Sequence, residues 1–103
     1  MIIKLSPIAE EDLQESINYY NVQKEYLGYE LANEINEIFE RIKCNYEQFP
    51  KTYKDMRKAK TQRFPYNVFF IIETQTVYIL GIFHTSRNPN IIKKNFIDKS
   101  KYV

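Results

Sequence analysis

The sequence predicts an α+β fold in the order β-α-α-β-β-β, an N-terminal helix hairpin packed on a small, mainly antiparallel sheet. Three observations carry this. Helical periodicity fills the first half of the chain and stops at Pro50. Two apolar runs rich in aromatic and β-branched residues follow, at 66–73 and 76–84. The two helical segments are joined by too few residues to be anything but antiparallel neighbours. The 103 residues suit one domain over 1–103, able to bury one modest core.

Residues 2–5 (IIKL) read as a short strand. Ser6-Pro7 marks a helix start, with serine as N-cap and proline in the first helical position. Glu10, Glu11 and Asp12 lie in the early turns, where negative charge suits the helix dipole. Ala9, Leu13, Ile17 and Tyr20 share one face, and the helix should run to about residue 23. Leu27-Gly28 reads as the turn. In the second helix Leu31, Ile35, Ile38, Ile42 and Phe49 form an apolar stripe, with Glu30, Glu34, Glu37 and Glu40 opposite. Pro50 should end it. Residues 54–60 read as a basic strand, 66–73 (YNVFFIIE) and 76–84 (TVYILGIFH) as two strong strands, and Thr74-Gln75 as their turn. Regular alternation along the last strand puts His84 on one face with Tyr78, Leu80 and Ile82, and Phe83 on the other with Val77 and Ile79. In the tail, Ile91, Ile92, Phe96 and Ile97 suit a helical turn or a cover strip.

The net charge of +2 conceals an asymmetry. Residues 1–50 hold four basic and ten acidic side chains, whereas residues 51–63 hold six basic against Asp55 alone. Residues 87–103 hold five basic side chains against Asp98. Two basic segments thus bracket an apolar run, a pattern that fits either an anionic partner on one face or unrelated solvated surface. No apolar run approaches the roughly 18 residues of a membrane span. The N-terminus turns acidic too soon for a signal peptide. The lone Cys44 reads as a free thiol in a reducing cytoplasm.

His84 is the chain's only histidine, and it ends an apolar row. It suits a partly buried structural histidine or an acid/base group at a cleft mouth. Arg87 could clamp a carboxylate or phosphate, or pair with the acidic helices. Arg57 and Arg63 complete a candidate anion site, so Arg57, Arg63, His84 and Arg87 are the catalytic candidates. One Cys and one His make no usual zinc site, no glycine-rich phosphate loop occurs, and no metal or cofactor is expected. Ser86 lies two residues from His84, which by itself makes no nucleophile–base pair.

Five stretches together resemble the RelE/ParE toxins of bacterial type II toxin–antitoxin modules, growth-inhibiting and plasmid-stabilising proteins, and are closer to the ParE-like branch. They are SPIAEEDLQESINYYNVQ, LGYELANEINEIFERI with its following proline, Arg57, FPYNVFFII and VYILGIFHTSRNP. The resemblance implies the same hairpin on a sheet. It also implies a cognate antitoxin whose C-terminal segment wraps the toxin, in a toxin–antitoxin hetero-oligomer. Lys54, Lys58, Lys60, Tyr66, Lys93 and Lys94 are the side chains expected to receive an acidic antitoxin tail. One branch cleaves mRNA in the ribosome with basic and aromatic sheet residues; another poisons DNA gyrase without nuclease activity. Many members carry arginine where Asn67 stands and tyrosine where Phe70 stands. Asn67 cannot neutralise a phosphate and Phe70 has no hydroxyl, which turns the reading toward the non-nuclease mode. A ribosome-dependent endonuclease and a non-toxic partner-binding homologue are the alternatives.

Overall fold

A computed structural model describes residues 1–88, 90 and 91. Its elements are β1 (Ile2–Leu5), α1 (Pro7–Gln23), α2 (Leu27–Asn45), a 3₁₀ turn (Tyr46–Gln48), β2 (Lys51–Tyr53), β3 (Met56–Lys60), β4 (Tyr66–Glu73) and β5 (Thr76–His84). The strands form one sheet in the order β1-β5-β4-β3-β2. Neighbours are antiparallel except β1 and β5, which run parallel. This is the expected α+β hairpin-on-sheet fold with one more strand than expected. The additional strand, β2, is three residues long and joined to β3 by a tight turn at Lys54, whose φ is 50°. The tail residues Ile92, Phe96 and Ile97, with Lys93 and Lys94, lie outside the described residues.

Helix α1 starts as its sequence dictates. Ser6 caps it, its hydroxyl accepting the Ala9 N–H at 3.0 Å, and Pro7 follows. The same hydroxyl donates to the Leu80 carbonyl. The turn between helices falls one step earlier than Leu27-Gly28: Leu27 already begins α2, and Tyr26 takes the left-handed conformation with φ 67°. Gly28 is needed for another reason. A Cβ there would stand 2.1 Å from the Ile17 carbonyl oxygen, so only glycine lets the two helices approach this closely. The Asn21 side chain uses that proximity and accepts the Gly28 N–H at 2.7 Å, capping α2 from the neighbouring helix. Helix α2 ends at Asn45, ahead of Pro50, because the backbone tightens into the 3₁₀ turn. Phe49 still reaches the core, edge-on to Phe70 at 5.9 Å between ring centroids.

Leu31, Ile35, Ile38 and Ile42 pack with Ala59, Val68, Phe70, Val77, Ile79 and Ile82 between helices and sheet. Met56, Phe69, Ile71, Tyr78, Leu80 and Phe83 cluster on the opposite face of the sheet. These two sets correct the simple alternation along β5. Phe69 pairs with Gly81 but Phe70 pairs with Ile79, so Leu80 is an additional residue, a β-bulge. The bulge shifts the alternation by one. Ile82 and His84 therefore face the helices with Val77 and Ile79, while Phe83 joins Tyr78 and Leu80 on the far face. The β4–β5 turn has two central residues, Thr74 and Gln75, both with positive φ (44° and 58°), as two-residue hairpins with primed turns require.

Candidate functional site

The bulge turns His84 toward α1, where a cleft of about 320 Å³ opens among Asp12, Glu15, Ser16, Tyr19, Tyr66, Ile82, His84 and Arg87. Strand β1 pairs with β5 only as far as Ile79, which leaves the next part of that strand edge to α1. Asp12 covers it. One carboxylate oxygen accepts the Ile82 N–H at 3.2 Å and the other meets the Arg87 guanidinium at 3.3 Å. The Asp12 side chain is only 10% exposed, against 42% for Arg87. Burial raises the Asp12 carboxyl above its usual 3.8, and this outweighs the lowering by the Ile82 N–H and by Arg87. Arg87 also lies over the Phe83 ring, 3.9 Å from its centroid, and so folds over the strand edge.

His84 is exposed and sits edge-on to Tyr66, with centroids 5.5 Å apart. Its Nδ1 accepts the Ser86 N–H at 3.1 Å and lies 2.8 Å from the Ser86 hydroxyl. With Nδ1 an acceptor, the proton of the neutral ring sits on Nε2. The Arg87 N–H closes the same turn on the His84 carbonyl at 2.9 Å. Ser86 thus does meet His84, within one β-turn that fixes the ring.

The other two candidate cations lie elsewhere. Arg57 donates to the Phe49 carbonyl at 2.6 Å, lies over the Tyr46 ring, and lines a pocket with Tyr46, Lys51, Asp55 and Ile72. Arg63 pairs with Glu30 at 2.9 Å, and its backbone N–H donates to Glu34. The Arg63–Glu30 hydrogen bond holds the Glu30 carboxyl below the usual carboxylate range. Between Arg63 and His84 stands an aromatic layer of Phe64, Tyr20 and Tyr66. Only His84 and Arg87 of the four therefore share a cleft. Of the expected antitoxin contacts, Lys58 precedes the helix-facing Ala59 and so faces away from the helices, Lys60 is exposed and lines a pocket with Glu34, Glu37 and Arg41 of α2, and Lys54 sits in the exposed β2–β3 turn. Tyr66 does not join them, because it is 7% exposed and packs in the helix-side core. Asn67 lies beside Lys60 in register, its buried Oδ1 without a partner. Phe70 is fully buried in the core. Cys44 is a free, exposed thiol.

Asp12 escaped the sequence reading, which gave it only a helix-dipole role. A test isolates its part. A carboxyl raised in the fold binds its proton more tightly than in the unfolded chain. Its contribution is therefore neutral below pH 3.8 and becomes unfavourable as pH rises through the window above that value. Asp12→Asn keeps an acceptor for the Ile82 N–H and should be at least as stable as the parent at pH 7, the difference closing below about pH 4. Asp12→Ala leaves that N–H unpaired and should lose about 1–3 kcal/mol. Thermal melts of the three proteins across pH would show this; an Asn variant less stable at pH 7 than at pH 3.5, relative to the parent, contradicts it.

A helix hairpin on a sheet, with its candidate arginines held at separate places on open surfaces, defines a small α+β domain built to present contact surfaces. The chain belongs to the ParE toxins of type II toxin–antitoxin systems (parDE), whose family model matches residues 3–89. It is the toxin component of such a module, and an antitoxin is its partner. Among solved structures, a chain from the chromosomal ParDE toxin–antitoxin system of P. aeruginosa shares the fold, with a TM-score of 0.71 and 20% identity, over 82% of this chain and 95% of that one. No curated protein sequence matches significantly. Among the described residues, no helix is long and apolar enough to cross a membrane.

Proposed function

We propose that this toxin arrests growth in the bacterial cytoplasm by binding and inhibiting a protein target, DNA gyrase, in the non-nuclease mode of the ParE-like branch. The observation that carries the reading is the dispersal of the cationic candidates. RNA cleavage by general acid–base chemistry needs a base, an acid and a phosphate clamp within hydrogen-bond reach of one scissile bond. Here Arg57 is held by the Phe49 carbonyl, Arg63 by Glu30 and Arg87 by Asp12, each in its own setting. Phe70 lies in the core, so a tyrosine hydroxyl at that position would be buried as well. Lys54 on the exposed turn, Lys58 on the far face of β3 and the exposed Lys60 at its end suit an acidic antitoxin segment.

The test is induction of the chain alone in bacteria, with mRNA ends mapped by primer extension and gyrase assayed for supercoiling with purified protein. Intact messages with loss of supercoiling are expected. Cuts in translated messages that disappear in His84→Ala or Arg87→Ala would instead establish the ribosome-dependent endonuclease.

A further inference from the structure

The sheet face turned away from the helices is apolar and shut off from water. Met56, Phe69, Ile71, Tyr78, Leu80 and Phe83 form its cluster, with Met56 1% exposed, Leu80 0% and Phe83 2%. An antiparallel sheet covered on one side usually turns polar side chains to the water on the other. A single layer of side chains cannot bury itself, because the outer end of each stays open; an apolar sheet face needs a second layer. Among the described residues, every member of this cluster and Tyr53 packed against it belong to strands, while both helices pack on the opposite face. Arg87 lies over the Phe83 ring and covers that corner only. The burial is complete within one chain, which calls for a cover from that same chain.

The local geometry after β5 points to the segment. The chain leaves the sheet beside Phe83, and Asn88-Pro89 repeats the helix-start pattern of Ser6-Pro7. The Asn88 side chain accepts the Asn90 N–H at 3.0 Å, as an N-cap does, and the Asn88 carbonyl accepts the Ile91 N–H at 3.3 Å. In a helix continued from this cap, Ile92 and Phe96 share one side with Ile97 next to it, whereas Ile91 and Lys94 point elsewhere. Ile91 is accordingly 41% exposed. A helix is about 10 Å across, and the cluster on β3, β4 and β5 spans two strand spacings, again about 10 Å. One helical segment is wide enough to close it. Asn67 alternates with the helix-facing Val68 and Phe70, so it shares the far face with Phe69 and Ile71. Its Oδ1 is shut off from water without a hydrogen-bond partner. An apolar side chain laid over it leaves it so, whereas an extended peptide would bring N–H donors to it.

We propose that residues 92–103 dock on this face, with Ile92, Phe96 and Ile97 against the cluster and Lys94 turned outward. The toxin thus carries its own cover, and presents a lysine where the bare sheet would present apolar surface. The stretch shared with the family ends before this segment, so the cover is an addition to the common fold. The inference is independent of the target reading above.

The experiment is methyl NMR on the full-length protein, free of antitoxin, joined to thermal melts and binding of a dye for exposed apolar surface. Contacts between the Phe96 ring and the methyl groups of Leu80 and Ile71 are expected. In a mixture of labelled and unlabelled protein they should arise within one molecule. Phe96→Asp should lose them, lower the thermal midpoint by about 10 °C or more, and bind more dye. Ile91→Asp, at the exposed position, should do none of these. Should Phe96→Asp not fold, the contacts in the parent decide the matter alone. Their absence from the parent, or a midpoint unmoved by Phe96→Asp, would overturn the inference. Contacts arising only between molecules would overturn it too, and would make a second copy the cover.

Discussion

Gly28→Ala should lower the stability of this protein by about 3 kcal/mol or more, the combined cost of overpacking and of a disrupted helix cap. The added methyl would meet the Ile17 carbonyl oxygen at 2.1 Å and the Asn21 side chain at 2.8 Å. The first neighbour is helix backbone and cannot rotate away. Relief requires α2 to retreat from α1, which opens the packing of Leu31 and Ile35 and breaks the 2.7 Å bond from the Gly28 N–H to Asn21. For a domain of this size the midpoint of thermal unfolding should fall by about 12–24 °C. Asn21→Ala, which removes the cap and leaves the close approach intact, should cost only about 1–2 kcal/mol. Urea unfolding of both variants separates the terms. A Gly28→Ala protein as stable as Asn21→Ala would mean that the hairpin closes without needing a bare backbone at position 28.

That example shows which features were legible in the sequence. Both helices were, because α1 begins with Ser6-Pro7 and α2 carries a clean apolar stripe. The need for glycine at 28 was visible only as a turn signal, since a glycine that admits a neighbouring backbone looks the same as one that bends its own. Strand β2 is three residues of mixed polarity, too short for any period to emerge. The bulge at Leu80 left no trace because β5 is apolar on both faces: with Ile, Leu, Tyr and Phe on either side, shifting the alternation changes no polarity. Its consequence was large, since it moved His84 to the helix side.

The candidate site was half legible for a related reason. His84 and Arg87 stand out as polar groups at the end of an apolar strand. Their companion Asp12 precedes Ile82 and Arg87 by 70 and 75 residues, and nothing local distinguishes it from Glu10 or Glu11. Only the edge left open where β1 stops gives it a role. Conversely, Arg57 and Arg63 were grouped with His84 by charge alone, and the fold gives each of them a different partner.

Ser6→Ala should produce the other large loss, about 2–4 kcal/mol, from one hydroxyl that serves two groups. Ser6 is 3% exposed. Its oxygen accepts the Ala9 N–H, and its proton goes to the Leu80 carbonyl at 3.1 Å, while its own backbone N–H donates to the Ile79 carbonyl at 3.0 Å. In a regular strand successive carbonyls point to opposite neighbours. Here two in a row are received by one residue, which is how the bulge is held. A methyl in place of the hydroxymethyl group would strand a buried carbonyl and a buried N–H without water to replace the hydroxyl. Ser6→Asp separates the two duties. It retains the cap acceptor but sets a carboxylate against the Leu80 carbonyl, and should therefore destabilise more than alanine, although aspartate is as good an N-cap as serine on an exposed helix. If cap chemistry alone mattered, Ser6→Asp would match the parent. The bulge also orients the cleft, so Ser6→Ala should perturb the NMR signals of the His84 ring, 78 residues away in sequence, while Gly28→Ala, on the other side of α1, leaves them in place until the protein unfolds. An unmoved His84 signal in folded Ser6→Ala would show that the strand keeps its bulge without the serine, and that the register is set by side-chain packing on the two faces alone.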